Sequence, residues 1–317
     1  YLARDFARMN KKLQLQLREI KQLFEKTVVQ ESERKRILEN QKTELERKVI
    51  ERTAEVTEQK GEIERKNRDI LDNLNYAKRI QSAILPETSL IHNSLPDSFI
   101  LYRPKDIVSG DFYTFSHKDN RILLSVADCT GHGVTGAFMS MIGSSQLNQI
   151  INERGITQPA KILNHLNTGI AEALKQNATD VNDGMDIALC SFSPDTRSLE
   201  FAGANRPMWL IRGGEWVEIK PDKLAIGGFR VQREAVFTNH EIQLQPGDAI
   251  YLFTDGFADQ FGGPDGKKML SKRFRELLIS MQSESMQEQE RKLNHYFDKW
   301  KNSLEQVDDV LVIGIRI

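Results

Sequence analysis

The run Ile122-Leu123-Leu124-Ser125-Val126-Ala127-Asp128-Cys129-Thr130-Gly131-His132-Gly133 decides how this chain folds. Its apolar first half reads as a buried strand, and its second half as a turn that opens a helix at Val134. Gly131 and Gly133 permit close backbone approach in that turn. Asp128 stands where the strand ends. A carboxylate there is costly to bury unless a positive charge compensates it. Amides at the start of the following helix also suit an anion such as phosphate. Taken alone, the stretch is equally a plain strand–turn–helix junction with a capping aspartate.

Three further aspartate sites repeat the pattern. Ile250-Tyr251-Leu252-Phe253-Thr254 leads into Asp255-Gly256, which by itself is also a common turn after a strand. Asp308-Asp309 precedes the apolar run Val310-Leu311-Val312-Ile313, where two adjacent like charges are unfavourable without a cation. Asp111 follows Ser109-Gly110 and interrupts an apolar stretch. Several carboxylates at strand ends imply a shared hard cation, and oxygen-only ligands favour magnesium or manganese. Asp128 can bridge two ions with its two oxygens, and the Cys129 carbonyl can add a ligand. These features point to a metal-dependent hydrolase.

Outward from this centre, residues 99–103, 107–115 and 121–128 read as successive strands. Two amphipathic helices follow at 134–151 and 159–176, the second with Ile162, Leu163, Leu166, Ile170 and Leu174 on one face. Strands return at 185–192, 198–202, 208–211 and 215–219, with Gly213-Gly214 as a hairpin turn. A strand at 249–254, helices at 272–281 and 286–304, and a closing strand at 310–317 complete the series. The order of strands, helix pair, strands and helices predicts an α+β fold of helices packed on sheets. No βαβ rhythm supports a Rossmann-type fold.

Residues 1 to about 80 have a different texture. They contain no proline, Gly61 is their one glycine, and Glu, Lys, Arg, Gln and Leu dominate, as in a long helix. Leu13, Leu17, Ile20 and Phe24, then Val49, Val56, Ile63, Ile70, Ala77 and Ile84, recur at heptad spacing. That is a coiled-coil seam, most simply of a parallel dimer. It is imperfect: the second series is one residue out of phase with the first. Arg52, Gln59, Lys66 and Asn73 also place polar groups on it. Such a seam suits a signalling linker tuned by register, and the blander alternative is a solvated spacer helix.

Net charge is −1 over 317 residues, so no global field argues for nucleic acid. Cys129 and Cys190 alone give no disulfide framework and suit a reducing cytoplasm. No apolar run approaches the ~20 residues needed to span a bilayer, and no signal peptide is visible. The chain opens at Tyr1 without methionine, as a piece of a longer protein would. The expected location is the cytoplasm, either free or as the cytoplasmic part of a membrane-anchored sensor.

An ordered series of motifs adds a family resemblance. Arg103-Pro104, Ser109-Gly110-Asp111-Phe112-Tyr113 and Asp128-Cys129-Thr130-Gly131-His132-Gly133 come first. Asp183-Gly184-Met185-Asp186-Ile187-Ala188-Leu189, Phe201-Ala202-Gly203-Ala204-Asn205, Thr254-Asp255-Gly256 and Asp308-Asp309 follow. Together they resemble the SpoIIE/RsbU branch of the protein phosphatase 2C (PPM) family from about residue 76 onward. The resemblance implies an αββα sandwich with two manganese or magnesium ions at one edge, and phosphoserine or phosphothreonine substrates, often anti-sigma-factor antagonists. Carried over, Asp128 bridges both ions, the Cys129 carbonyl completes one site, and Asp111, Asp255 and Asp308 supply the other carboxylates. Asp309 is the alternative to Asp308, and Asp183 and Asp186 are candidates for a weaker third ion. His132 is a candidate proton donor or a structural turn residue. Arg103 is a candidate phosphate contact or a strand-end salt bridge. Residues 257–266 are expected to form a mobile loop beside Asp255 that can touch substrate. Cys129 departs from the glycine common in the family, and Leu311 from a frequent threonine.

Tyr1-Leu2-Ala3-Arg4-Asp5-Phe6-Ala7 and Glu51-Arg52-Thr53-Ala54-Glu55-Val56 resemble linkers below bacterial seven-transmembrane sensors. The same linkers precede histidine kinases, but no phosphoacceptor histidine occurs before His92. The expected organisation is therefore a dimerising linker over 1–75 and a protein serine/threonine phosphatase over 76–317, with the helix at 74–85 as regulator. A catalytically silent scaffold of the same fold is the alternative. The expected partners are a phosphoprotein substrate and a second copy of the chain.

Overall fold

The computed structural model describes residues 2–176, 178–228 and 236–317; Tyr1 of the linker motif lies outside them. The chain divides into two compact units, Tyr1–Leu71 and Asp72–Ile317. Helix α1 (Leu2–Ile84) makes up the first unit and the opening turns of the second. In the first unit Leu13, Leu17, Ile20, Phe24, Val49, Val56, Ile63 and Ile70 are each at least half exposed. Ion pairs one turn apart, Glu44–Lys48, Arg47–Glu51 and Glu62–Lys66, lie along the same helix.

In the second unit α1 partly covers Leu74 and Ala77 and buries Gln81, at a helical spacing of three and four residues, and Leu85 packs on the core just past its end. The heptad positions Ala77 and Ile84 differ in environment here. Ala77 is partly covered, Ile84 stays 38% exposed, and the buried position is the polar Gln81.

A short helix α2 (Thr88–Ser94) leads into β1 (Ser98–Arg103). The hairpin β2 (Phe112–Lys118) and β3 (Arg121–Cys129) is followed by α3 (Gly133–Asn148), a π turn at Gln149–Glu153, and α4 (Pro159–Ala173). Then come β4 (Gly184–Ser193), β5 (Ser198–Ala204), β6 (Met208–Arg212), β7 (Glu215–Ile219), β8 (Ile226–Gly227), β9 (His240–Gln243) and β10 (Ala249–Phe253). Helix α5 (Gly256–Asp259), the tiny hairpin β11 (Phe261–Gly262) and β12 (Lys267–Lys268), α6 (Leu270–Ser280), α7 (Met286–Lys301) and β13 (Val310–Arg316) close the chain.

Two antiparallel sheets form the centre. One has the order β1-β13-β10-β6-β7, the other β2-β3-β4-β5-β9 with β8 paired to β4. Strand β3 explains why its sequence is apolar almost throughout. Ile122, Leu124 and Val126 enter the core between the sheets, while Leu123, Ala127 and Cys129 pack under α3 and α4. In β13 the same alternation sends Leu311, Ile313 and Ile315 between the sheets, and Val310 and Val312 toward α6 and α7. A helix pair thus covers the outer face of each sheet, giving the αββα order that the family resemblance implies.

Two expectations change. The strand expected at 107–115 begins only at Phe112, because residues 105 to 110 are drawn into a loop. The Asp309 carboxylate accepts the backbone N–H of Lys105 and of Gly110, each at 2.7 Å, and so takes those amides out of any ladder. The stretch 257–266, expected as a mobile loop, is instead α5 plus the β11–β12 hairpin. Phe257 is fully buried there against Phe274 and Phe297, with ring centroids 4.5 and 5.3 Å away.

Candidate metal centre

Antiparallel pairing places the end of one strand beside the start of the next, and this geometry assembles the acidic site. The register Phe112↔Ala127 sets Asp111, just before β2, beside Asp128 near the end of β3. Asp128 itself lies opposite Asp186 of β4. In the other sheet, Phe253↔Val312 brings Asp255, just past β10, next to Asp308, just before β13. Four strand ends and one in-register pair therefore gather at one edge of the sandwich, with carboxylates from both sheets.

Close packing of the turns fixes the first two positions. Gly131 and Gly133 adopt φ of +82° and +63°, which side chains disfavour. A Cβ on Gly136 of α3 would lie 2.4 Å from the Gly131 carbonyl and 2.7 Å from the Gly110 Cα. The first turn of α3 is thus pressed directly on the residue preceding Asp111.

Each carboxylate has a distinct environment. Asp111 is buried, and one of its oxygens accepts the Thr254 hydroxyl at 2.6 Å. Burial and the nearby Asp128 charge push Asp111 well above the usual carboxylate range, against the lowering effect of Thr254. Burial likewise raises Asp128 to about 7; Arg206 opposes the shift, and Asp255, Asp308 and Asp186 add to it. Asp186 is raised by burial and moderated by the Asn205 amide, which donates to it at 2.8 Å. Asp308 is raised by burial, with the Asp309 N–H on its Oδ1 at 2.8 Å opposing and Asp255 adding.

Asp309 separates from this group. Both of its oxygens are engaged by the Lys105 and Gly110 amides, so its carboxylate serves the 105–110 loop while Asp308 faces Asp255. Asp183 accepts the Thr130 hydroxyl at 2.9 Å, tying the turn after β3 to the start of β4. The His132 Nδ1 lies 2.8 Å from the Asp106 carboxylate, both side chains being about half exposed. Arg103 donates to Asn294 at 2.6 Å and to Asp298 at 2.7 Å, with its guanidinium over the Phe297 ring. It therefore locks the end of β1 to α7, which is the salt-bridge alternative.

Sequence reasoning missed Arg206. It lies in the short link between β5 and β6, and one terminal nitrogen contacts Asp128, meets Asp255 at 2.7 Å and lies 3.7 Å from Asp186. Burial works against its charge, but Asp128 and Asp255 outweigh that and hold it above its ordinary range. One guanidinium shared among three carboxylates explains why it stays charged while Asp128 remains raised. The available signal was a lone cation between the apolar runs Phe201–Ala204 and Met208–Ile211, directly after the quoted motif ending at Asn205.

The donor chemistry fits hard divalent cations: only oxygen ligands, several of them buried, with more negative charge than one arginine offsets. Among the described residues, no three His, Cys, Asp or Glu side chains stand close enough to hold an ion without moving. The carboxylates are grouped around the guanidinium instead of a common empty point.

A helix–sheet–sheet–helix sandwich with this acidic edge defines a phosphatase domain of the protein phosphatase 2C type. The model of the family described as "Stage II sporulation protein E (SpoIIE)" matches residues 118–317, and the chain belongs to that family. The SiaA-PP2C domain of Pseudomonas aeruginosa is 34% identical with a TM-score of 0.72, covering 79% of this chain and 98% of that one. Phosphoserine phosphatase RsbU of Bacillus subtilis (strain 168) is 23% identical over 195 residues, 60% of this chain. The chain spans about half of that relative's length, 55%. The PP2C phosphatase domain of SpoIIE from Bacillus subtilis, solved with a fragment of its regulatory domain, is 20% identical. It superposes with a TM-score of 0.55 over 69% of this chain and 62% of that one, a likeness of fold alone. Among the described residues no helix is long and apolar enough to cross a membrane.

Proposed function

We propose that the chain is a metal-dependent protein serine/threonine phosphatase of bacterial signal transduction, acting in the cytoplasm on a phosphoprotein such as an anti-sigma-factor antagonist. The observation that carries this reading is the meeting of Asp111, Asp128, Asp186, Asp255 and Asp308 at one edge, from both sheets. Asp128, placed centrally, would hold the ions together with Asp111, Asp255, Asp308 and the Cys129 carbonyl, and Asp186 would be the candidate for a weaker third ion. Manganese or magnesium bound there supplies a water of lowered pKa and positive charge for the developing phosphoryl charge.

The chain's own residues prepare that chemistry. Thr254 fixes one oxygen of Asp111 and so directs the other, and Asn205 does the same for Asp186. Asp309 holds the loop that carries Ser109-Gly110-Asp111, which makes it a positioning residue. Burial raises Asp111 and Asp128 above the usual carboxylate range, so a dication would be bound more readily as pH rises. Retention of the whole acidic set argues against a silent scaffold.

Regulation is assigned to the helix at 74–85, whose Gln81 is hydrogen-bonded to the segment leading into Asp111. The exposed heptad seam upstream suits pairing with a second copy, with 1–75 as linker and 76–317 as the phosphatase domain. The deciding experiment is manganese-dependent hydrolysis of an aryl phosphate by the wild type and by Asp128→Ala. Loss of roughly 100-fold or more is expected; activity that survives the substitution would refute the assigned centre.

A further inference from the structure

Arg206 has no part in the reaction just described, yet it lies where the carboxylates converge. Its terminal nitrogen touches Asp128 and Asp255, which belong to opposite sheets, and approaches Asp186. The side chain is only 13% exposed, and its Nε–H is buried without an acceptor. An arginine placed for shape normally spends its fork on paired, bidentate bonds. This one crowds three carboxylates onto one nitrogen and leaves another donor unmatched, so charge and not fit holds it there.

A guanidinium and a divalent cation cannot use the same oxygens of Asp128 and Asp255, because two positive centres at that spacing repel. The arginine has somewhere to go. A cleft of about 190 Å³ adjoins it, lined by Thr130, Asn182, Met185 and Asp186 together with Asp128 and Arg206.

We propose that Arg206 is a built-in competitor for the cation that Asp128 and Asp255 share: it neutralises the carboxylates until a divalent ion displaces it, and so sets the ion concentration at which the site fills. This rests on the metal-centre reading above. A purely structural arginine that staples the two sheets would instead help to shape the site, and removing it would weaken the ion.

The test is manganese binding by calorimetric titration of the full chain, comparing wild type, Arg206→Gln, Arg206→Lys and Asp128→Ala. Arg206→Gln should bind manganese roughly tenfold more tightly, and Arg206→Lys, which keeps the charge, should stay near wild type. In chelator Arg206→Gln should melt below wild type, and manganese should close that gap. A second measurement needs no variant: labelling of Arg206 by phenylglyoxal, read on the proteolytic peptide, should be faster with manganese than with chelator. Equal or weaker manganese binding by Arg206→Gln, or labelling indifferent to manganese, overturns the competition. If the wild type binds no manganese, or Asp128→Ala binds it as well as the wild type does, the metal-centre reading itself falls and this proposal with it. If only Asp128→Ala and Arg206→Gln both weaken binding, the centre stands and the competitor role is lost.

Discussion

Gln81 and Ser109 exchange two hydrogen bonds: the Gln81 amide donates to the Ser109 carbonyl at 2.6 Å, and the Ser109 N–H donates to the Gln81 Oε1 at 3.0 Å. The same amide nitrogen also donates to the Ser140 hydroxyl on α3 at 2.9 Å. A side chain on the entering helix therefore completes the backbone two residues ahead of Asp111. Gln81→Leu should orphan buried groups at a cost of about 1–3 kcal/mol each. Denaturant unfolding should show that loss, and manganese affinity should fall with it. Unchanged affinity would disconnect this helix from the site.

Register along the same helix gives the second expectation. Fusing a stable parallel zipper ahead of Asn75 in different registers should yield high turnover in some and low turnover in others. Equal activity in every register would sink regulation by the helix.

Asp308 and Asp309 should behave oppositely despite being neighbours. Asp309→Ala removes a carboxylate from two amides, the buried one of Gly110 and the half-buried one of Lys105, and bonds to charged groups of this kind contribute roughly 1.5–3 kcal/mol each. Its principal effect should be lost stability. Asp308→Ala should unfold close to wild type while losing manganese binding. Thermal melts in chelator, followed by manganese titration, separate the two outcomes.

Chelation should be visible in stability as well as in activity. An ion present at about 100 times its dissociation constant stabilises by about 2.7 kcal/mol. Wild type should gain that in manganese over chelator, and Asp128→Asn should gain far less. Identical melting shifts in both proteins would place the ion elsewhere.

Thr254 supplies a smaller test. Its hydroxyl donates to Asp111 and accepts the Leu311 N–H at 3.1 Å, so it links β10, β13 and the start of β2. Thr254→Val should cost about 1–3 kcal/mol through the unpaired Leu311 amide. It should also broaden the range of Asp111 positions, read as weaker manganese binding.

Much of this arrangement was legible in the sequence because strand ends were marked by unusual residues. The aspartates stood out against apolar runs, and heptad spacing announced α1. The strand at 107–115 was misplaced because its amides are claimed by Asp309, almost two hundred residues away, and no local pattern records such a partner. The region 257–266 read as a loop from its glycines, although Phe257 is sunk into the aromatic core under α6 and α7. Gln81 escaped notice because a polar residue on a charged helix looks solvated until its buried partners are known. Arg206 was overlooked for the complementary reason: a lone cation has meaning only when the carboxylates of both sheets are seen around it.

The division of the carboxylates between the two sheets has a mechanical side. Asp111, Asp128 and Asp186 ride on one leaf of the sandwich, Asp255 and Asp308 on the other, and only the apolar layer of Val126, Leu252, Leu311 and Ile313 and its neighbours lies between. Any ion held at the rim is a rivet through both leaves. Slip between them would then stretch or slacken the coordination, and filling the rim would stiffen the stack. A methyl group lost from the middle layer would be felt as altered ion affinity at the edge, with no ligand touched.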